Sequence, residues 1–261
     1  MKFSPLYSGS SGNCSVVSSG NTHILVDAGM TGKAITSALS DVDIDPCSIS
    51  AIVVTHEHSD HIKGVGVMSR KYDIPVYANE GTWKAIAPLV GNISMKNIRT
   101  FVTGQNFYIG SFDLTPFRIS HDAAEPVGFK FFEKGSKLVY MTDTGCVSEA
   151  LRETASDADL LFLESNHDVD MLKSGSYPYQ LKMRILSKKG HLSNDAAGDL
   201  LAKLFLSGMR RVILAHLSHE NNTESVAYNT VRGILNKNGI PEKDFFLKVA
   251  HRDRVTGVFE I

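Results

Sequence analysis

Four metal-ligating side chains within six residues, set at the end of a buried strand, constrain this chain more than any other feature. The stretch reads SISAIVVTHEHSDH. Ala51 to Val54 form a short, continuous apolar run, the pattern of a strand covered on both faces. The run leads straight into His56, Glu57, His58, Ser59, Asp60 and His61. Imidazole nitrogen and carboxylate oxygen suit zinc, manganese or iron. Side chains alternate on an extended segment, so His56 and His58 point the same way and can reach one ion. Asp60 and His61, one turn later, can be aimed at a second. A solvated His-rich surface loop is the competing reading, and the tight register at a strand end disfavours it.

So short a loop cannot complete two coordination spheres, and further ligands are expected at other strand ends. His121 follows LTPFRIS, Asp143 follows KLVYMT and His216 follows RRVILA. Alone, each is more often a polar turn residue than a ligand. Together they repeat the placement of the first cluster.

The surrounding pattern is α/β. Strands at NTHILVDAG and IPVYAN alternate with helical stretches in the first half. FDLTPFRIS, VGFKFFEKG and SKLVYMTD open a second half, which continues through VSEALRETA (helix), DLLFLES (strand), helices at 179–186 and 194–206, RRVILAHLS (strand) and TESVAYNTVRGILNKNG (helix). Such alternation argues for layered α/β architecture. No linker or low-complexity tract interrupts it, so residues 1–261 are expected to form one domain of two similar αβ halves. With 43% hydrophobic and 21% charged residues, disorder is excluded, and a net charge of −1 names no polyanionic partner by itself. Cys14, Cys47 and Cys146 are too few and too scattered for a disulfide framework or a cysteine zinc site. No secretory h-region and no membrane-length apolar run is seen. These readings favour a cytoplasmic protein with no membrane partner.

THEHSDH resembles the HxHxDH signature of the metallo-β-lactamase superfamily. LVDAG, with Asp27, looks like its preceding motif, whose Asp holds the metal loop from behind. His121, Asp143 and His216 look like its later ligand motifs. The resemblance implies a four-layer αββα sandwich with two divalent ions, zinc, manganese or iron. One ion would take His56, His58 and His121, the other Asp60, His61 and His216, and Asp143 would bridge them. A metal-bound hydroxide would be the nucleophile, with Asp60 orienting it or shuttling its proton.

Within the superfamily, LAHLSHENN is similar to the corresponding stretch of ribonuclease Z-like nucleases. LESNHD followed by GHLSND resembles their acidic residue and later histidine, which implies Glu164 and His191 as the pair that protonates the leaving oxygen. SGSSGN (Ser8 to Asn13), HDAAEPVG, ESNHD and GHLSN are similar to motifs of the bacterial YycJ/WalJ branch, regarded as DNA exonucleases working from a 5′ end. The resemblance thus implies a nucleic-acid partner, DNA in the first instance.

Phosphodiester cleavage also needs a general acid and groups that hold flanking phosphates. Ser193 is a good N-cap, and the free N–H groups after it would form an anion site beside His191. Lys182, Arg184, Lys188 and Lys189 form a local basic segment, although an ordinary solvated face accounts for them equally well. Gly9 to Asn13 could grip phosphate or simply turn a hairpin. Asn166 and His167 are candidate cleft residues, His167 as an additional ligand or a support behind the ligands. Trp83 and the tyrosines form no recognisable platform for stacking bases. Two other functions remain open: hydrolysis of a small ester, thioester or cyclic phosphodiester on the same metals, and a non-catalytic metal-binding regulatory role.

Overall fold

The computed structural model describes residues 1–261. Its contacts divide the chain into two compact units. The first comprises Met1–Arg118, Ala123–Gly135 and His251–Ile261, and the second Ile119–Asp122 and Ser136–Ala250. The two sheets, by contrast, divide the chain between the strand ending at Thr100 and the strand beginning at Phe107, and only the last short strand, Phe259–Glu260, returns to the first sheet. The runs FDLTPFR and VGFKFFE, expected to open the second half, belong by contact to the first unit, and the last eleven residues return to it.

In the first unit a sheet runs in the order β14–β1–β2–β3–β4–β5–β6. Its strands are β1 (Lys2–Gly9), β2 (Gly12–Ser19), β3 (Thr22–Val26), β4 (Ile49–Val53), β5 (Val76–Ala78), β6 (Ile98–Thr100) and β14 (Phe259–Glu260). β1 and β2 form a long antiparallel hairpin, turning at Ser10 and Ser11. From β3 onward the pairing is parallel. Parallel neighbours need crossover helices, here α1 (Gly32–Ser40), α2 (Ser59–Ile62), α3 (Val65–Tyr72) and α4 (Glu80–Ile86). Their inner faces complete one apolar core with the sheet, including Leu25, Ile35, Leu39, Ile52, Val65, Met68 and Val76. The strands β7 (Phe107–Ile109), β8 (Phe112–Arg118) and β9 (Val127–Glu133) pair antiparallel in the same unit.

The second unit holds β10 (Ser136–Met141), β11 (Leu160–Glu164), β12 (Arg211–Ala215) and β13 (Phe246–Val249), all parallel neighbours in that order. β11 is buried at every position: Leu160 to Leu163 form the apolar run expected of a central parallel strand, and Glu164 closes it. Its helices are α5 (Glu149–Ala155), α6 (Val169–Ser174), α7 (Tyr179–Ile185), α8 (Asn194–Leu206) and α9 (Glu224–Lys237). α8 begins at Asn194 because the Ser193 hydroxyl caps it, accepting from the Ala196 N–H at 3.2 Å. α6, a six-residue helix held by an Asp168 cap, had no periodic signature in the sequence.

Most candidate ligands and their supports follow the C-terminal ends of parallel strands, β3 and β4 in the first unit and β10, β11 and β12 in the second, whereas His121 follows the antiparallel strand β8. Three of these residues, Asp27, Asp143 and His216, have left-handed backbones with φ of 60°, 55° and 55°. Non-glycine residues adopt this conformation at some cost in strain, and such strain concentrates at functional sites.

Candidate metal centre

In the first unit the motif loop is held from behind by Asp27. Its carboxylate accepts from the Thr55 N–H and the Thr55 hydroxyl, each at 2.8 Å, and lies 2.8 Å from His61 Nδ1. Burial pushes the Asp27 carboxyl above its ordinary range, opposed by the pull of His61 and Thr55. With Nδ1 of His61 donating to Asp27, the lone pair at Nε2 is left for an electrophile, as in carboxylate-supported metal histidines. Asn13 Nδ2 sits 3.1 Å from that Nε2 and 3.2 Å from Asp60 Oδ2. Asn13 therefore steadies both residues that were expected to serve the second ion. The hairpin reading of Gly9 to Asn13 is the observed one: Asn13 Oδ1 accepts from the Gly9 N–H across the turn.

His56 Nε2 and His58 Nδ1 converge to 3.1 Å, as alternation on an extended segment required. The other nitrogen of His56 lies 3.0 Å from the Thr55 hydroxyl. Glu57 turns away, its carboxylate accepting from the Ala124 N–H at 2.7 Å.

The close approach of two loops locks this half. The Gly29 N–H donates to Asn13 O at 2.7 Å, and Ala28 exchanges backbone bonds with His61 and Gly64. A Cβ on Gly29 would stand 1.7 Å from Asp60 O, a backbone atom that cannot swing aside. Gly29→Ala is expected to destabilise the protein by at least about 1–3 kcal/mol, the usual cost of overpacking. Urea denaturation would show it as a lowered midpoint, and an unchanged midpoint would mean that the two loops are less rigidly apposed.

In the second unit Asp143 lies between two imidazoles, with one oxygen toward each. Its Oδ2 is 3.2 Å from His216 Nδ1, and its Oδ1 is 3.9 Å from His121 Nε2. His121 Nδ1 points at Gly190 O at 3.2 Å, which leaves Nε2 as its outward donor. His191 Nδ1 contacts Glu164 Oε1 at 2.7 Å, while the other Glu164 oxygen accepts from the N–H groups of Thr144 and Leu192. Glu164 is fully buried, whereas the His191 side chain keeps 19% of its surface exposed. Ligand atoms of Asp143, Glu164, His191 and His216 all lie within 4.8 Å of one another.

His167 is outside that group. Its ring is buried with no hydrogen-bond partner at either nitrogen, and desolvation pushes its imidazolium down to about 4, so it is neutral at physiological pH. Its backbone is what contributes: His167 O accepts from the Asn194 N–H, and Asn166 N donates to Leu192 O. Asn166 Nδ2 in turn donates to His216 O at 2.9 Å. The anion site expected after Ser193 loses most of its donors, because the N–H groups of Asn194, Ala196 and Ala197 are already bonded to His167 O, Ser193 Oγ and Ser193 O. The basic segment narrows as well. Lys182 is spent on the carbonyls of Lys173 and Gly175, and Arg184 pairs with Asp122 at 2.5 Å. Lys188 and Lys189 remain exposed.

Sequence reading missed the hub that joins these loops. Asn194 and Asn222 form a reciprocal amide pair at 2.9 and 3.1 Å. Asn222 also donates to the carbonyls of Ser165 and Asn166, and Ser165 Oγ donates to Asn194 Oδ1. Three segments carrying Glu164, His191 and His216 are thereby tied together by buried polar groups. The doubled asparagine after LAHLSHE was a visible signal, but nothing in it named its partners.

Residues 22–217 match the family model described as the Beta-lactamase superfamily domain, and the chain belongs to that family. Its fold is the family's αββα sandwich, and it is a metal-dependent hydrolase whose His and Asp donors are those of a divalent-ion site. Among curated proteins it is 43% identical to the exodeoxyribonuclease YycJ of Bacillus anthracis, over 92% of this chain and 90% of that one. It is 41% identical to the exodeoxyribonuclease WalJ of Streptococcus pneumoniae, over 88% and 86% of the two chains. The zinc-bound PqqB of Methylobacterium extorquens shares the fold across the full length of both chains, with a TM-score of 0.76 at 16% identity. No helix is long and apolar enough to cross a membrane.

Proposed function

We propose that this protein is a two-metal phosphodiesterase that degrades DNA from a 5′ end; the relatives YycJ and WalJ, named exodeoxyribonucleases, support the DNA substrate and the exonucleolytic mode. The observation that carries the reading is the buried Glu164 bonded to a partly exposed His191 beside Asp143. Hydrolysis of an activated ester or thioester needs no such proton donor, whereas expulsion of an alkoxide from phosphate does.

The donors fit divalent ions. His61 and His121 each have Nδ1 engaged by a fixed acceptor, which aims Nε2 outward, and the two oxygens of Asp143 face different histidines. In the proposed arrangement His56, His58 and His121 would hold one ion. Asp60, His61 and His216 would hold the other, with Asp143 available as a further ligand. Such ions, when bound, activate water and neutralise the nonbridging phosphate oxygens. Asp60, steadied by Asn13, orients the attacking water. Glu164 accepts from His191 Nδ1, so when the ring carries both protons the one to be given away is on Nε2. Lys188 and Lys189 attract the flanking phosphates.

The test is a metal-stratified assay of purified protein on end-labelled and internally labelled DNA and RNA. Manganese or zinc should support cleavage, chelator should abolish it, and His58→Ala should be inactive. If wild type and His58→Ala are equally inert on every nucleic acid, the reading fails. Turnover of small esters alone would move it to the ester-hydrolase alternative.

A further inference from the structure

We propose that α7 is a ledge on which the bases of single-stranded nucleic acid stack as the strand approaches His191. This rests on the phosphodiesterase reading above. Tyr179, Met183 and Leu186 occupy positions i, i+4 and i+7, one stripe of the helix and its C-cap. All three face solvent, at 75%, 48% and 38% exposure. An isolated exposed apolar residue calls for no explanation, but a stripe of three on one short helix does.

Its position identifies the occupant. The C-terminal end of α7 is fastened to the candidate catalytic loop, since the His191 N–H donates to Ile185 O at 3.0 Å. Gly190 packs so closely there that a Cβ would stand 2.1 Å from the same carbonyl. Residues 173–190 carry five basic side chains and no acidic one: Lys173, Lys182, Arg184, Lys188 and Lys189. Asp122 pairs with Arg184, while Lys188 and Lys189 are exposed. An aromatic ring and flexible apolar neighbours beside unpaired lysines match the chemistry of a single strand, with bases on the ring and phosphates on the cations. A protein partner would have no need of this uncompensated charge. Tyr179 lies six residues before Ile185, about 9 Å along the helix. At about 3.4 Å per stacked nucleotide, a strand seated at His191 reaches the ring roughly three nucleotides away.

The experiment compares metal-loaded wild type, Tyr179→Ala and Tyr179→Phe on a dinucleotide and on a twelve-nucleotide single strand. Binding of the labelled twelve-mer is followed by fluorescence anisotropy across a salt series. For Tyr179→Ala, the ratio of kcat/KM on the twelve-mer to that on the dinucleotide should fall by about 5- to 150-fold, the worth of one stacked base. The loss should reside in KM, and anisotropy should show matching weakening with an unaltered salt slope. Tyr179→Phe should restore the ratio. The double change Lys188→Ala and Lys189→Ala should instead flatten the slope by about 1.4, the value for two lost phosphate contacts on a single strand. An unchanged ratio and affinity in Tyr179→Ala, or an equal loss on both substrates, overturns the ledge. If wild type cleaves neither substrate, the nuclease reading has failed, and the anisotropy arm still decides whether Tyr179 binds the strand.

Discussion

Asp143→Asn is expected to remove most of the proposed nuclease activity and to lower the bound divalent metal. Its two oxygens face His216 and His121, the geometry of a carboxylate that two ions can share. Asparagine keeps one acceptor and replaces the other with a donor, so one of the two positions must lose its ligand. Metal ions supply several kcal/mol of charge stabilisation in phosphoryl chemistry, and at about 1.4 kcal/mol per decade the rate should fall by roughly a thousandfold or more. The substitution is also a clean one. Asn tolerates the left-handed backbone that Asp143 adopts, so the metal-free protein should unfold near the wild-type temperature. Elemental analysis beside the rate decides the matter. A full metal complement with near wild-type turnover would remove Asp143 from the ligand set.

Different parts of this architecture were legible in the sequence to different degrees, for physical reasons. β4 and the motif loop could be read because the signal is local: an apolar run, then ligands whose spacing fixes their directions. α8 and its Ser193 cap were readable for the same reason. The left-handed backbones of Asp27, Asp143 and His216 left no trace in the sequence, because the surrounding fold imposes them on ordinary residues. The Asn194–Asn222 pair was invisible because its partners lie 28 residues apart and meet only once β11, β12 and α8 are assembled. Lys182 and Arg184 were overvalued for the converse reason. As letters they are free cations, but as side chains they cap carbonyls and pair with Asp122.

His191→Ala is expected to separate chemistry from metal binding. If His191 gives its Nε2 proton to the departing oxygen, removing it should slow cleavage of an ordinary DNA strand by about 10²–10⁴-fold, the usual worth of general-acid catalysis. On the p-nitrophenyl ester of thymidine 5′-phosphate, whose leaving group departs without a proton, the loss should be below about tenfold. Metal content should not change, because Asp143 and His216 keep their own contact without His191. Glu164→Gln should show the same dependence on leaving group in weaker form. It keeps an acceptor for Nδ1, but the amide that replaces the other oxygen opposes the Thr144 and Leu192 N–H groups. Equal losses on both substrates would show that His191 does not donate the proton. Loss of metal along with activity would make it a ligand, which the 4.8 Å clustering of its ring with Asp143, Glu164 and His216 permits geometrically. The 2.7 Å contact with a fully buried Glu164 fixes the ring with Nε2 toward the site, an orientation that serves a proton donor and a ligand alike, so the metal analysis and the leaving-group dependence decide between them.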